Sequence, residues 1–264
     1  LRGANITVAL IGDEEDTGDP ISLSRHDLVK TASQSDSALA FEGVGEMGSA
    51  TVARRGYTDW FLKVTSKSGH SSQIFGDVFG AGAINEVSRI LSSFYKELRG
   101  EEYLTFSPGL ILGGTTTEHD QVHSKGTAFG KSNVIPTTAV VSGDLRFISK
   151  NQRDQAKIKM QKIVSKNLPQ SEAKITFQDS YPAMSPTTGN YLLLDKLAMV
   201  SQDLGQGPTG VRPWERHLQR QNTTERKWYA GKYQHLKRML PPAYFQKYRN
   251  IDRKVMNHFF PRGL

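Results

Sequence analysis

Four consecutive carboxylates, Asp13-Glu14-Glu15-Asp16, follow the apolar run Ile6–Ile11 and Gly12. If that run is a strand, the acids sit just past its carboxyl end, where open α/β sheets bind ligands. Like charges this close raise one another's pKa unless a cation neutralises them. The chain contains no cysteine, so a cation must be held by Asp, Glu or His. Such donors suit hard or borderline metals, including zinc together with histidine. Glu42 ends the next apolar segment, Ser37–Phe41, and falls beside Glu15 if the two strands are parallel neighbours. The other reading of the loop is a solvated turn whose acids favour the positive end of the following helix. Asp19, before Pro20, fits a helix cap better than a ligand.

Two further groups carry possible chemistry. His70 lies in Ser68-Gly69-His70-Ser71-Ser72, where a small-residue loop exposes the ring. It is either an anion donor or a polar loop residue. Downstream, Ser132-Asn133-Val134-Ile135-Pro136 precedes Gly143-Asp144-Leu145-Arg146. An amide and a guanidinium brought together clamp a carboxylate, because arginine offers a planar fork of donors. The alternative is a turn asparagine and a strand arginine paired with Asp144.

These residues need elements to hold them. Ile6–Ile11 is nearly continuous in apolar and β-branched types, as in a strand covered on both faces. A helix is expected from Asp19–Pro20 to about Thr31, and a short strand over Ser37–Phe41, which makes one α/β unit. Gly43–Gly56 is rich in small residues and reads as a boundary. Beyond it, strands are expected over Asp59–Thr65, Phe106–Leu112, Ala139–Phe147 and Ala173–Gln178. Helices are expected over Val78–Leu98 and Gln152–Asn167. The order β-α-β-β-α-β is the split βαβ, ferredoxin-like arrangement. A further amphipathic helix covers Tyr191–Leu204.

The net charge of +8 over 264 residues conceals two regions. Residues 210–264 hold 13 Lys/Arg and 3 Asp/Glu, a balance of +10, and 9 of the 24 aromatics. The preceding 209 residues balance to −2. A near-neutral body is thus followed by a basic, aromatic segment divided at Pro241-Pro242. Clustered cations interleaved with aromatics contact phosphates and stack on bases, although the same pattern also describes a solvated helix pair. No apolar run reaches the ~20 residues of a membrane helix.

Gly-Asp-Glu-Glu, Phe-Glu, Gly-His-Ser, Ser-Asn-Val-Ile-Pro and Gly-Asp-Leu-Arg occur here in one order. That series resembles the zinc peptidases and deacylases related to glutamate carboxypeptidase, acetylornithine deacetylase and succinyl-diaminopimelate desuccinylase. The resemblance covers about 5–208. It implies an α/β catalytic domain, here in part (1–54 and 183–209), with an inserted ferredoxin-like lid that dimerises (55–182). The segment 210–264 lies outside it. The resemblance further implies two zinc ions, with Glu14 as general base, Glu15 as a zinc ligand and Glu42 as the carboxylate ligand of the other zinc. His70 is implied to reach substrate in the partner subunit, and Asn133 and Arg146 to contact substrate, Arg146 at its carboxylate. Three of the family's five metal ligands have no counterpart at matching positions. The implied function is cleavage of an amide bond next to a free carboxylate, in a peptide or N-acyl amino acid, by a homodimer. The second reading is a non-catalytic dimerisation module whose basic tail binds RNA or another polyanion.

Overall fold

The computed structural model describes residues 5–12, 18, 20–41, 48–121, 123–207 and 209–211. The chain divides into two compact units, one of Ala50–Met199 with Gly210–Arg212, the other holding the remaining residues. The basic segment expected over 210–264 lies outside the described residues from Arg212 onward, as do Glu14, Glu15, Asp19 and Glu42.

In the smaller unit the helix expected from Asp19 forms as two pieces, α1 (Ile21–Ser24) and α2 (His26–Ser33). Pro20 stands at the N-cap, with no side-chain cap hydrogen bond. The expected strands do not form. Residues 5–11 and 37–41 carry no strand pairing, and Ile6, Val8, Leu10, Leu39 and Phe41 are exposed. A run that is apolar on both faces is stable as a strand only with neighbours in register and layers above and below. Among the described residues nothing supplies them.

The larger unit follows the two-residue strand β1 (Ser49–Ala50) with β2 (Gly56–Ser66), α3 (Gly82–Leu98), β3 (Thr105–Gly114), β4 (Thr116–Asp120), β5 (Lys125–Phe129), β6 (Thr138–Phe147), α4 (Lys150–Val164) and β7 (Ser171–Asp179). The chain continues into α5 (Thr188–Asp203) and the two-residue strand β8 (Gly210–Val211). Apart from the β4–β5 hairpin, the order is the expected β-α-β-β-α-β. The sheet order is β3-β6-β2-β7, with every pair antiparallel.

Period-two alternation explains the sheet's two faces. Trp60, Leu62 and Val64 of β2 and Ala139, Val141, Leu145 and Phe147 of β6 enter the core. Asp59 and Lys63 point the other way, as do Asp144 and Arg146, since these pairs sit at the alternate positions of their strands. Helix α3 closes the core with Ala83, Val87, Ile90, Phe94 and Leu98, a stripe at helical spacing. Helix α4 adds Ala156, Met160, Ile163 and Val164. Trp60 meets Phe94 edge to face at 5.9 Å between ring centroids.

Two local devices set the helix starts. Ser149 Oγ accepts a hydrogen bond from Gln152 N–H at 3.1 Å, while Gln152 Oε1 accepts from Ile148 N–H at 2.9 Å. This is the reciprocal exchange of a capping box, with the return bond moved back one residue. Helix α3 begins at Gly82 rather than at the expected Val78, because residues 75–80 form a turn. Phe75 N–H donates to Gly80 O at 2.7 Å, and Gly80 takes φ +65° against the Pro169 carbonyl, leaving no room for a Cβ.

Candidate functional site

The His70 loop and the Asn133 segment are bound together at one end of the sheet. Ile135 N–H donates to Gly69 O at 2.9 Å, Ser71 N–H donates to Asn133 O at 2.9 Å, and His70 and Val134 form an isolated antiparallel bridge. Ile135, 1% exposed, anchors the segment in the core. The carbonyl of Pro136 accepts from Ala83 N–H at 2.9 Å and from Ser66 Oγ–H at 2.8 Å. Two exposed polar side chains, His70 and Asn133, therefore stand on a backbone held from three sides.

The orientation of the His70 ring follows from its neighbours. Ser72 N–H donates to His70 Nδ1 at 3.2 Å, and Ser72 Oγ lies 2.8 Å from the same nitrogen. With Nδ1 accepting, the proton of the neutral ring is on Nε2, which is left as an outward donor. A donor of this kind suits a carbonyl oxygen that gains negative charge.

Arg146 is at the opposite end. From Thr138 to Arg146 the strand advances about 27 Å at the usual rise per residue, and Asn133 lies beyond Thr138. A clamp formed by Asn133 and Arg146 of one chain is excluded by that separation. The two residues mark opposite ends of β6, and Arg146 instead pairs with Asp144, Nε to Oδ2 at 2.8 Å. Its guanidinium carbon is 5.5 Å from the centroid of the Tyr57 ring. Thr105, Arg146 and Tyr57 stand in register on adjacent strands, and Ser107, Asp144 and Asp59 form the next rung inward. Burial, then the Asp144 charge, holds the Asp59 carboxyl above the usual carboxylate range, with Arg146 opposing. Arg55 Nη1 donates to Thr105 Oγ1 at 2.8 Å.

One feature had no sequence signal beyond a threonine-rich stretch. The β4–β5 hairpin folds over the sheet face that the helices leave open, with Thr117 Oγ1 3.1 Å from Thr138 Oγ1. His119 stacks on Phe61 at 5.3 Å and 10° between ring planes. Both its ring nitrogens are buried without a hydrogen-bond partner among the described residues.

Among the described residues no group of three or more His, Asp or Glu side chains could hold a metal. The carboxylates that the resemblance assigns to zinc, Glu15 and Glu42, and the assigned base Glu14 are outside those residues. No helix of the described residues is long and apolar enough to cross a membrane.

Residues 52–172 match the family model described as the peptidase dimerisation domain. That segment holds β2, β3, β6, α3 and α4, and ends as the fourth strand of the sheet, β7, begins. The chain is similar to the crystal structure of a tripeptidase from Staphylococcus aureus at 16% identity, over 69% of this chain and 44% of that one, with a TM-score of 0.51. It is also similar to aminopeptidase PepT from Bacillus cereus at 14% identity, over 66% of this chain and 43% of that one, with a TM-score of 0.46. The chain thus spans less than half the length of either protein. No curated protein matches it.

Proposed function

We propose that the chain is the lid-bearing part of a homodimeric, zinc-dependent amide hydrolase that cleaves next to a free carboxylate in a peptide or N-acyl amino acid. The observation that supports this best is the placement of the polar groups. His70 and Asn133 stand on one rigid end of the dimerisation sheet, and Arg146 stands at the other. A single chain cannot close both ends on one small substrate. A dimer can, if His70 and Asn133 of one subunit and Arg146 of the other serve the same substrate.

The sheet edges favour such a pairing. Thr105–Gly114, the edge strand β3, contains no charged residue, and Ile111 within it is 53% exposed. Ile84 and Tyr95 of α3 are exposed too, and Ile84 packs over Gly113 of that strand. The other edge, β7, carries Glu172, Lys174 and Asp179, which is how an edge is kept from pairing. Two β3 edges joined antiparallel direct the Arg146 end of one subunit toward the His70–Asn133 end of its partner.

In this reading Arg146 binds the substrate carboxylate, Asn133 adds a polar contact, and His70 Nε2–H stabilises the developing oxyanion. Glu15 and Glu42 are carboxylate zinc ligands and Glu14 is the proton carrier. Zinc would polarise the carbonyl and lower the pKa of water. The described residues do not by themselves complete a zinc site.

The test is a binding panel of dipeptides and N-acyl amino acids with their C-terminal carboxamide analogues, titrated into the chain and read at the His70 and Arg146 side-chain NMR signals. Binding confined to the carboxylate forms, moving both signals, is expected. No binding, or equal binding of acid and amide, would remove the hydrolase reading and leave a dimerisation module.

A further inference from the structure

We propose that Arg55 completes an anion site with Arg146, in which one substrate carboxylate is shared between two guanidinium groups. The inference rests on the reading of Arg146 as a carboxylate contact and adds the second arginine and the charge class of the ligand.

The geometry begins with the register. Thr105 on β3 lies directly opposite Arg146 on β6, so their side chains share one face of the sheet. Arg55 precedes β2, two strands away from β3 in the sheet order, and its Nη1 donates to Thr105 Oγ1 at 2.8 Å. Its guanidinium therefore reaches across to the rung that Arg146 occupies. Arg146 is held from the opposite side, with Nε given to Asp144 and Tyr57 flanking the guanidinium. The terminal nitrogens of Arg146 donate to no described residue. Because the guanidinium is planar, fixing Nε also fixes the plane in which those nitrogens present their fork.

The electrostatics agree. The Arg55 pKa is lowered by burial first and by the positive charge of Arg146 second, with Asp144 opposing. The two guanidinium groups are thus close enough to feel each other's charge, as two donors to one anion must be. Asp144 and Asp59 lie one rung inward and present negative charge there. A ligand with a second negative charge on that side is repelled. The cluster thus fits a singly charged carboxylate better than a phosphate or a polyanion.

Arginine Nε–H signals of the full chain, assigned through Arg55→Lys and Arg146→Lys variants, are followed by NMR during titration with sodium acetate at constant ionic strength. Acetamide is the neutral control, inorganic phosphate the dianion, and the Trp60 indole N–H reports folding in each variant. We expect both arginine signals to move along one saturable acetate curve, with acetamide silent and phosphate weaker. Arg55→Ala should weaken acetate on the order of tenfold, as loss of a charge-assisted contact does. Arg55→Lys should restore only part, because lysine keeps the charge without the fork. If Arg146 alone responds and Arg55→Ala leaves the affinity unchanged, Arg146 remains a carboxylate contact and the shared site is wrong. If neither arginine responds, both readings fall and the cluster is a structural seam.

Discussion

Asp144 and Arg146 are two residues apart on one strand and point to one face, where Arg146 Nε donates to Asp144 Oδ2 at 2.8 Å with each side chain 30% exposed. Partial exposure limits what the pair contributes to stability, typically below about 1 kcal/mol. Its larger effect is on direction, since it orients the Arg146 fork. Asp144→Ala should change unfolding free energy by less than about 1 kcal/mol and speed hydrogen exchange at Arg146 Nε–H. The same variant should bring the Asp59 carboxyl toward its ordinary range, because the Asp144 charge helps to raise it. A carboxyl NMR titration reads this; an unmoved Asp59 would mean that burial alone sets its pKa.

The uncharged edge of β3 leads to a prediction about assembly. Ile111→Lys places a charge where a second copy would pair, while Lys174→Thr on β7 serves as the control edge. Ile111 is 53% exposed in one chain, so pairing would bury the rest of both copies, together worth about 1.5–3 kcal/mol, and the variant dimer should dissociate at roughly tenfold higher protein concentration or more. Sedimentation equilibrium measures this. A wild-type chain that stays monomeric at high concentration, or an Ile111→Lys dimer of unchanged strength, would exclude this edge.

Glu86 is fully buried on α3 and is paired at two points with Arg89, at 2.7 and 2.8 Å. It also accepts from Leu168 N–H at 3.3 Å, which links α3 to the turn after α4. Arg89 in turn donates to Ile163 O at 3.3 Å. Removing Glu86 takes the acceptor from Leu168 N–H and from the 26% exposed Arg89 and costs about 1–3 kcal/mol. Glu86→Ala should lower the urea midpoint accordingly, and Glu86→Gln, which keeps the shape and one acceptor, should cost less. Equal stability of Glu86→Ala and wild type would show that α3 and α4 are held by apolar packing alone.

Asp179 couples β7 to α4 and β2. Burial raises its pKa, but hydrogen bonds from Lys157 and Thr58, with the charges of Lys157 and Arg153, outweigh this and leave it lowered. Thr58 Oγ–H and Lys157 Nζ each donate to Oδ1 at 2.6 Å. A carboxyl with a lowered folded pKa favours folding above its unfolded value, near 3.9, and loses that contribution as pH falls through the folded pKa. Thermal unfolding should therefore show a steeper fall in Tm below about pH 4 for wild type than for Asp179→Asn. Parallel curves would place the acid sensitivity elsewhere.

Much of the larger unit was legible because its local preferences and its packing agree. In β2 the alternation of Trp60, Leu62 and Val64 with Asp59 and Lys63 marks a strand with one face in the core. In α3 the Ala83, Val87, Ile90, Phe94 and Leu98 stripe marks a helix. The β4–β5 hairpin escaped notice because its residues have no apolar face of their own. It is positioned by contacts across the sheet, such as His119 on Phe61. Ile6–Ile11 is the opposite case, a strand pattern without partners among the described residues, since pairing supplies what a single strand lacks.

The sequence by itself determined which side chains are present: the Gly-His-Ser loop, the Asn133 turn and the Asp144–Arg146 pair, with the periodicities that define the larger unit's strands and helices. Their relative position was decided only by tertiary structure. His70 and Asn133, 63 residues apart in the chain, meet through backbone hydrogen bonds. Asn133 and Arg146, only 13 apart, are kept at opposite ends of β6. An extended strand converts a short stretch of chain into a long distance, and antiparallel pairing converts a long stretch into contact.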